Sequence, residues 1–144
     1  MTMFTIKKFT TFDKDSTAIA NDIRNRVFVI EQKVSREEEY DSHEDESQHF
    51  LLLNDETPIG TARWRFTDKG IKLERFAVLP DYRNSGAGSF LVNAVLKDVL
   101  PHHQPLYLHA QVRAVNVYQR AGFIKQGEQF SEANIDHYKM IYKG

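Results

Sequence analysis

A strand, a glycine-containing turn, a helix and a second strand follow one another between residues 71 and 111, and this order restricts the fold more than any other feature. The first strand runs from Ile71 to Val78 and is broken by Pro80-Asp81. The helix is predicted over 88–99, with an apolar face, and the second strand over 106–111. Because a crossover of this kind joins parallel neighbours, the two strands are predicted to lie side by side in one sheet.

The remaining elements follow from hydrophobic periodicity and turn residues. A helix is predicted over 16–32 with Ser16 as its N-cap, and a short helix over 114–121 is stopped by Gly122. Residues 67–70 are predicted to close a hairpin. Further strands are predicted at 3–9, 49–53, 59–66, from 123, at 127–130 and at 138–142.

The predicted order is strand, helix, three strands, helix, strand, helix, two strands. It indicates a single domain over residues 1–144, of mixed α/β (α+β) class, with a central and mostly antiparallel sheet flanked by helices.

Composition excludes several classes of function. The formal net charge of -1 argues against a general nucleic-acid binder, which needs a basic face. The lack of cysteine excludes disulfides, thiolate zinc sites and a cysteine nucleophile. No apolar run approaches the roughly 20 residues needed to cross a bilayer, and the N-terminus lacks a signal-peptide h-region, so no membrane association and a cytoplasmic location are expected.

The turn before the second helix has the chemistry of a diphosphate site. Its glycines let several N–H groups converge, the helix dipole adds partial positive charge, and Arg83 adds a full charge. A Rossmann fingerprint would need a third glycine where Leu91 stands, and a Walker loop would need a lysine that the turn lacks. An ordinary loop remains open as the alternative. The turn is Arg83-Asn84-Ser85-Gly86-Ala87-Gly88.

This turn matches the R/Q-x-x-G-x-G/A pattern of the GNAT (Gcn5-related N-acetyltransferase) superfamily, and its surroundings extend the resemblance. The strand 73–78 before it resembles the family's fourth strand, which carries a bulge. The segment Gln111-x-x-Ala114-x-x-x-Tyr118-x-x-x-Gly122-Phe123 resembles the family's second signature, with Gln111 at the usual Asn. Segments 26–32, 60–64 and 130–140 resemble the small bacterial ElaA/YjcF-like branch.

The resemblance implies acetyl-CoA as co-substrate and a primary amine of a small molecule or peptide as acceptor. The amine would attack directly in a ternary complex, without an enzyme nucleophile or a metal. Tyr118 would protonate the leaving thiolate. The strand residues Phe76, Ala77 and Val78 would meet the pantetheine arm, and the turn, with Ser89, would hold the pyrophosphate. Homodimers are common in the family, so a homodimer is possible.

The general base is left open by the sequence. Glu74 lies two residues before Phe76 and is therefore expected on the same face of the strand. However, hairpin register also places Glu74 opposite Arg63, and a cross-strand ion pair would explain both residues without catalysis. His49, His109, His137 and water are the other candidates.

The acidic run 37–46 has two interpretations. Its carboxylates could attract a cationic amine, or form a solvated loop, and the solvated loop is preferred. His43 with its acidic neighbours lacks the glycine of a calcium loop, so no metal site is predicted.

Two functions other than catalysis stay open, a non-catalytic CoA-binding or regulatory module and a fold without a ligand. Tyr118 and the intact Arg83 turn favour an enzyme, whereas Gln111 favours the non-catalytic module.

Overall fold

The computed structural model describes residues 3–144, which form one sheet of eight strands with helices on both faces. The sheet order is β1-β2-β3-β4-β5-β8-β6, and β7 pairs with β8. The strands are β1 (Phe4–Phe9), β2 (Gln48–Asn54), β3 (Thr57–Thr67), β4 (Gly70–Val78), β5 (Leu106–Gln111), β6 (Phe123–Lys125), β7 (Phe130–Glu132) and β8 (Ile135–Tyr142). The helices are α1 (Lys14–Arg24), α2 (Arg36–Glu39), α3 (Ala87–Val99) and α4 (Val115–Ala121).

The predicted crossover is confirmed, because β4 and β5 are parallel neighbours joined by α3. All other strand pairs among residues 3–144 are antiparallel. The mixed, mostly antiparallel fold is therefore as predicted. Within these residues no helix is long and apolar enough to span a membrane.

Two apolar cores lie on opposite faces of the sheet. The larger one packs α3 and α4 against side chains such as Leu52, Leu73 and Leu108. The smaller one packs α1 and the segment after it against side chains such as Phe9 and Leu51. Adjacent residues of one strand, such as Leu51 and Leu52, divide between the two cores because strand side chains alternate between faces.

The first helical segment differs from its prediction at both ends. Asp13, not Ser16, is the N-cap, and its carboxylate accepts hydrogen bonds from the Ser16 N–H at 3.0 Å and hydroxyl at 2.9 Å. These bonds lower the pKa of Asp13 to about 2. Beyond Arg24 the helix widens into a π-helical segment, Asn25–Glu31.

The C-terminal part contains three strands after α4, although the predicted order of elements ended in two. The strand predicted at 127–130 lies later, as β7, because Gly127 adopts a left-handed φ of 82°. Ala133 and Asn134, also left-handed, make the turn between β7 and β8. This hairpin covers one end of β5, since β8 pairs with both β7 and β5.

Candidate functional site

The predicted phosphate turn connects β4 to α3. Asn84 and Gly86 have left-handed φ values of 60° and 87°, and α3 begins directly afterwards at Ala87. The first N–H groups of a helix have no partner within the helix, and here they face the turn. A Cβ built on Gly88 would meet no atom within 4 Å, although the residue lines a cavity. Open space above the first turn of α3 fits a phosphate group held by backbone N–H groups.

Arg83 lies at the edge of this turn with its charge already paired. Its Nε donates to the carbonyl of Val78 at 2.9 Å, and its two terminal nitrogens donate to the Glu31 carboxylate at 2.7 Å each. The Glu31 hydrogen bonds raise the pKa of Arg83, and the guanidinium lowers the pKa of Glu31. The side chain therefore joins the end of the π-helical segment to the end of β4.

The strands β4 and β5 separate in the middle of the sheet. Their parallel pairing covers only residues 71–73 and 106–108, although β4 continues to Val78 and β5 to Gln111. A β-bulge in β4 increases the separation: Arg75 has a left-handed φ of 61°, and the register with β3 shifts there. Leu79 donates its N–H to Ile59 of β3, so by alternation the main chain of Val78 faces the gap.

A cavity of about 790 Å³ extends through this gap from one face of the sheet to the other. On the α3 side it is lined by Phe76, Val117, Tyr118 and the turn residues. On the α1 side the lining includes the titratable side chains of Asp41, Glu74, His109, Glu132 and His137, beside apolar ones such as Val27 and Phe28. One continuous space thus connects the phosphate-type turn with a cluster of titratable side chains.

Tyr118 projects from α4 toward this cavity and is 8% exposed. Its ring packs edge-on against Phe76, with centroids 5.7 Å apart, and against Phe123 at 6.2 Å. No hydrogen bond joins its hydroxyl to another of residues 3–144, and burial raises the pKa of the phenol. The group is therefore a neutral proton donor at neutral pH.

Glu74 lines the cavity from the α1 side but is held by three cations. Its carboxylate lies 2.9 Å from the Arg63 guanidinium, 2.6 Å from that of Arg65 and 3.5 Å from the Lys72 ammonium. Burial opposes its ionisation, but these cations prevail and lower its pKa. The predicted cross-strand pair of Arg63 with Glu74 is confirmed.

The expectation that Glu74 and Phe76 share a face is wrong. Phe76 packs against Tyr118 on the α3 side, whereas Glu74 forms its ion pairs on the opposite side. The bulge at Arg75 inserts one residue into the strand, which reverses the alternation beyond it.

The candidate histidines have different surroundings. Nδ1 of His109 lies 3.0 Å from a carboxylate oxygen of Glu132, and Nδ1 of His137 donates to the carbonyl of Ile135 at 2.7 Å. Both line the cavity. His49 does not line it; its Nε2 lies 2.8 Å from the Glu44 carbonyl and its ring stacks on Phe9.

Comparison with known proteins assigns the family. The profile described as "Acetyltransferase (GNAT) domain" matches residues 13–143. The chain belongs to the GNAT family. It is 37% identical over 121 residues to the uncharacterized N-acetyltransferase YjcF of Bacillus subtilis, covering 83% of this chain and 86% of that protein.

Solved structures share the same fold. Escherichia coli ElaA superposes with a TM-score of 0.86 at 24% identity, covering 98% of this chain and 100% of that one. An acyl-CoA N-acyltransferase from Pseudomonas aeruginosa superposes with a TM-score of 0.82 at 24% identity, with the same coverage. The ElaA/YjcF-like resemblance is thus confirmed, and the protein is an acyltransferase, which favours the enzyme over a non-catalytic module. GNAT folds typically bind acetyl-CoA.

The preferred interpretation of the acidic run, a solvated loop, is wrong for three of its members. Glu39 is 3% exposed and pairs with Arg24 at 2.6 Å. Asp41 pairs with Arg63 at 2.8 Å, and Glu44 pairs with Arg24 and Arg63. Arg24 lies on α1 and Arg63 on β3, and both guanidinium groups point into the protein. Neither local sequence pattern predicted that these arginines would be buried, so the partners of the acidic run were not expected. No group of acidic and histidine residues suited to a metal occurs within residues 3–144.

The predicted site residues come together in the structure, with exceptions. Phe76, Ala77, Val78, Arg83, Asn84, Gly86, Gly88, Ser89 and Tyr118 line the cavity, as does Glu74, whereas Ser85 and Ala87 do not. Ser85 instead donates its hydroxyl to the Tyr82 carbonyl, and the Ala87 side chain is buried in the larger core. Gln111, at the usual Asn, donates to the Gln32 side chain at 2.8 Å.

Sequence reasoning missed Glu132 and Lys72. The signal for Glu132 was the adjoining Ala133-Asn134 turn, since asparagine tolerates the left-handed conformation that this hairpin requires. One domain, a cytoplasmic location and a homodimer stay predictions.

Proposed function

We propose that this GNAT protein transfers an acetyl group from acetyl-CoA to a primary amine of a small molecule or peptide, by direct attack in a ternary complex. The cavity that crosses the sheet between β4 and β5 carries this proposal. It offers a phosphate-type turn on one side and polar, titratable groups on the other, so donor and acceptor can meet where the strands separate.

The α3 side supplies the groups suited to coenzyme A. The N–H groups at the start of α3, together with Asn84 and Gly86, which line the cavity, would bind the pyrophosphate. Main-chain groups of Phe76 and Val78 would pair with the pantetheine arm, because alternation turns the main chain of Val78 toward the gap, and Ala77 lies between them in the cavity lining. The charge of Arg83, which is paired with Glu31, would become available to a phosphate if the guanidinium left Glu31.

Tyr118 is the proposed acid. It carries its proton at neutral pH and lines the cavity, and its hydroxyl forms no hydrogen bond to another of residues 3–144. It would donate the phenolic proton to the sulfur as the carbon–sulfur bond breaks, which avoids release of a free thiolate.

Two measurements test the proposal. Calorimetry with CoA and acetyl-CoA measures the donor site, and Gly88→Val is the matched variant because a Cβ at this position would enter the open space above α3. Thiol release across a panel of diamines, polyamines, amino acid amides and peptides measures transfer. Undetectable binding at millimolar cofactor would remove the donor assignment, and binding without thiol release from any amine would leave a binding module.

A further inference from the structure

The point where β4 and β5 separate brings two titratable side chains together. Leu73 and Leu108 are the last paired residues, and both belong to the core beneath α3. Glu74 and His109 follow them and therefore project from the opposite, α1 side, where both line the cavity. If donor and acceptor meet at this point, as the proposed function requires, these are the nearest side chains on the acceptor side of either strand.

Glu74 is poorly suited to accept a proton. Its oxygens are already engaged by Arg63, Arg65 and Lys72, and those three cations lower its pKa. Protonation would leave three buried or partly buried cations with a weakened partner, which is costly in this environment.

His109 has the opposite character. Its Nδ1 lies 3.0 Å from Glu132, and because a carboxylate only accepts hydrogen bonds, Nδ1 carries the proton of the neutral ring. The lone pair is therefore on Nε2, which makes no hydrogen bond to another of residues 3–144. The ring of Phe130 packs edge-on against the imidazole at 5.1 Å and that of Tyr107 lies at 6.2 Å, so the ring plane is held.

We propose that His109 is the general base of the acetyl transfer and that Glu132 is its positioning residue. Nε2 of His109 takes one proton from the acceptor ammonium. The neutral nitrogen then forms a bond to the acetyl carbon as the carbon–sulfur bond breaks, and the sulfur takes the Tyr118 proton. The nitrogen loses its second proton to the phenolate, which restores the tyrosine, and His109 returns its proton to solvent.

Glu132 acts through His109. The hydrogen bond lowers the pKa of Glu132 to about 2, so the carboxylate is charged throughout the neutral range. That charge stabilises the imidazolium that forms when His109 accepts a proton, as well as fixing the tautomer beforehand.

His137 is the rival on the same wall. It lies opposite Gln111 in the β5–β8 register, two residues farther along β5 from the point of separation than His109. Its Nδ1 donates to a neutral backbone carbonyl, which orients the ring but supplies no full negative charge. His137 stacks on Phe130 with centroids 5.8 Å apart, consistent with a part in holding the hairpin.

The experiment compares glutamine variants of three histidines, with the amine that gives the highest thiol release as acceptor. His109→Gln is expected to lower kcat/KM by about 10²- to 10⁴-fold, the usual contribution of a general base, and to leave the acetyl-CoA Kd unchanged. His137→Gln is expected to lower kcat/KM much less. His102→Gln is the control, because His102 lies outside the cavity against Trp64 and Phe66. Wild-type turnover in His109→Gln, or a larger loss in His137→Gln, overturns the proposal.

The pH dependence of kcat/KM shows whether Glu132 positions His109 or only supports the structure. Charged groups near His109 are Glu132 on β7, Lys72 and Glu74 on β4, and His137 and Lys139 on β8. Glu132→Gln removes the negative charge that favours the imidazolium, so the acidic limb of kcat/KM is expected to move to lower pH; Glu132→Asp is expected to restore it partly. An unmoved limb contradicts the role of Glu132.

Failure to find any acceptor amine can be distinguished from failure of His109 as the general base. If no amine supports thiol release, the proposed function fails, and the histidine–carboxylate pair is tested alone by nitrogen NMR of the imidazole. The Nδ1–H tautomer is expected for His109 in the wild type and its loss is expected in Glu132→Gln. An Nε2–H tautomer in the wild type overturns the assignment of the base.

Discussion

Arg63 of β3 is the cation that holds the acidic run 37–46 against the sheet, and replacing it with methionine removes that charge. Arg63 is 0% exposed, and its guanidinium contacts Asp41, Glu44 and Glu74. Methionine retains much of the side-chain volume and leaves no new polar group, so the variant isolates the loss of charge and hydrogen bonds.

The expected loss in the free energy of unfolding depends on which ion-pair partners the three carboxylates retain in the variant. Removing one partner of a buried ion pair costs about 3–5 kcal/mol, because the other charge stays buried. Here Asp41 retains Arg75 at 3.3 Å, Glu44 retains Arg24 at 2.6 Å and Glu74 retains Arg65 at 2.6 Å. The lower end, about 3 kcal/mol, is therefore expected, and at about 2–4 °C per kcal/mol for a chain of this size the melting temperature should fall by about 6–12 °C.

The loss should depend on pH. Arg63 contributes to the lowered pKa values of Asp41 and Glu74. A carboxyl group with a lowered folded-state pKa contributes stability that is present above its unfolded value and lost as pH falls through the folded value. The difference between wild type and variant should be greatest near pH 7 and shrink below about pH 4, where ordinary carboxyl groups take up protons.

Urea unfolding followed by circular dichroism at pH 7 and at pH 3.5 measures both quantities. Arg26→Met is the matched control, because Arg26 forms an exposed pair with Asp22 on one helix face and such pairs contribute little. A loss below about 1 kcal/mol at pH 7, where about 3 kcal/mol is expected for a broken buried pair, would refute the reasoning. So would a loss of equal size at both pH values.

Three further variants test the cavity. Tyr118→Phe should lower turnover by about 10²-fold or more in the thiol-release assay while melting like the wild type, because the hydroxyl bonds to no other described residue; equal turnover would remove Tyr118 as the acid. Gly88→Val should fold normally but weaken CoA binding in calorimetry, since its side chain enters open space; unchanged affinity would place the pyrophosphate elsewhere. Arg83→Ala should weaken CoA binding by about 10- to 100-fold, the range of a charged hydrogen bond, and an unchanged Kd would show that Arg83 serves only Glu31.

Local patterns in the sequence predicted much of the fold. The crossover of β4, α3 and β5 followed from an apolar strand, a turn and an amphipathic helix, and hairpin counting gave the Arg63–Glu74 pair correctly. These features depend on residues that are close in sequence or on a register set by one turn.

Features that depend on distant partners were not predictable in the same way. The resemblance implied a bulge in β4, but no glycine marks its position at Arg75, and this bulge places Glu74 and Phe76 on opposite faces. The burial of Glu39 depends on Arg24, which lies on another helix. The pairing of His109 with Glu132 requires β7 to fold back beside β8 and β5, a contact between positions 23 residues apart.

Because the cavity passes through the sheet, different segments of the chain line its two ends. Its α3 side is lined mainly by Phe76, the turn 83–89 and α4, and much of its α1 side by segments 27–43 and 130–137. If coenzyme A binds on the α3 side, as proposed, exchanging the 130–137 hairpin between relatives would alter the acceptor side of the cavity and leave the coenzyme side intact. On that assignment, acceptor preference and donor affinity would be separable traits, which selection or design could vary independently within one unchanged sheet.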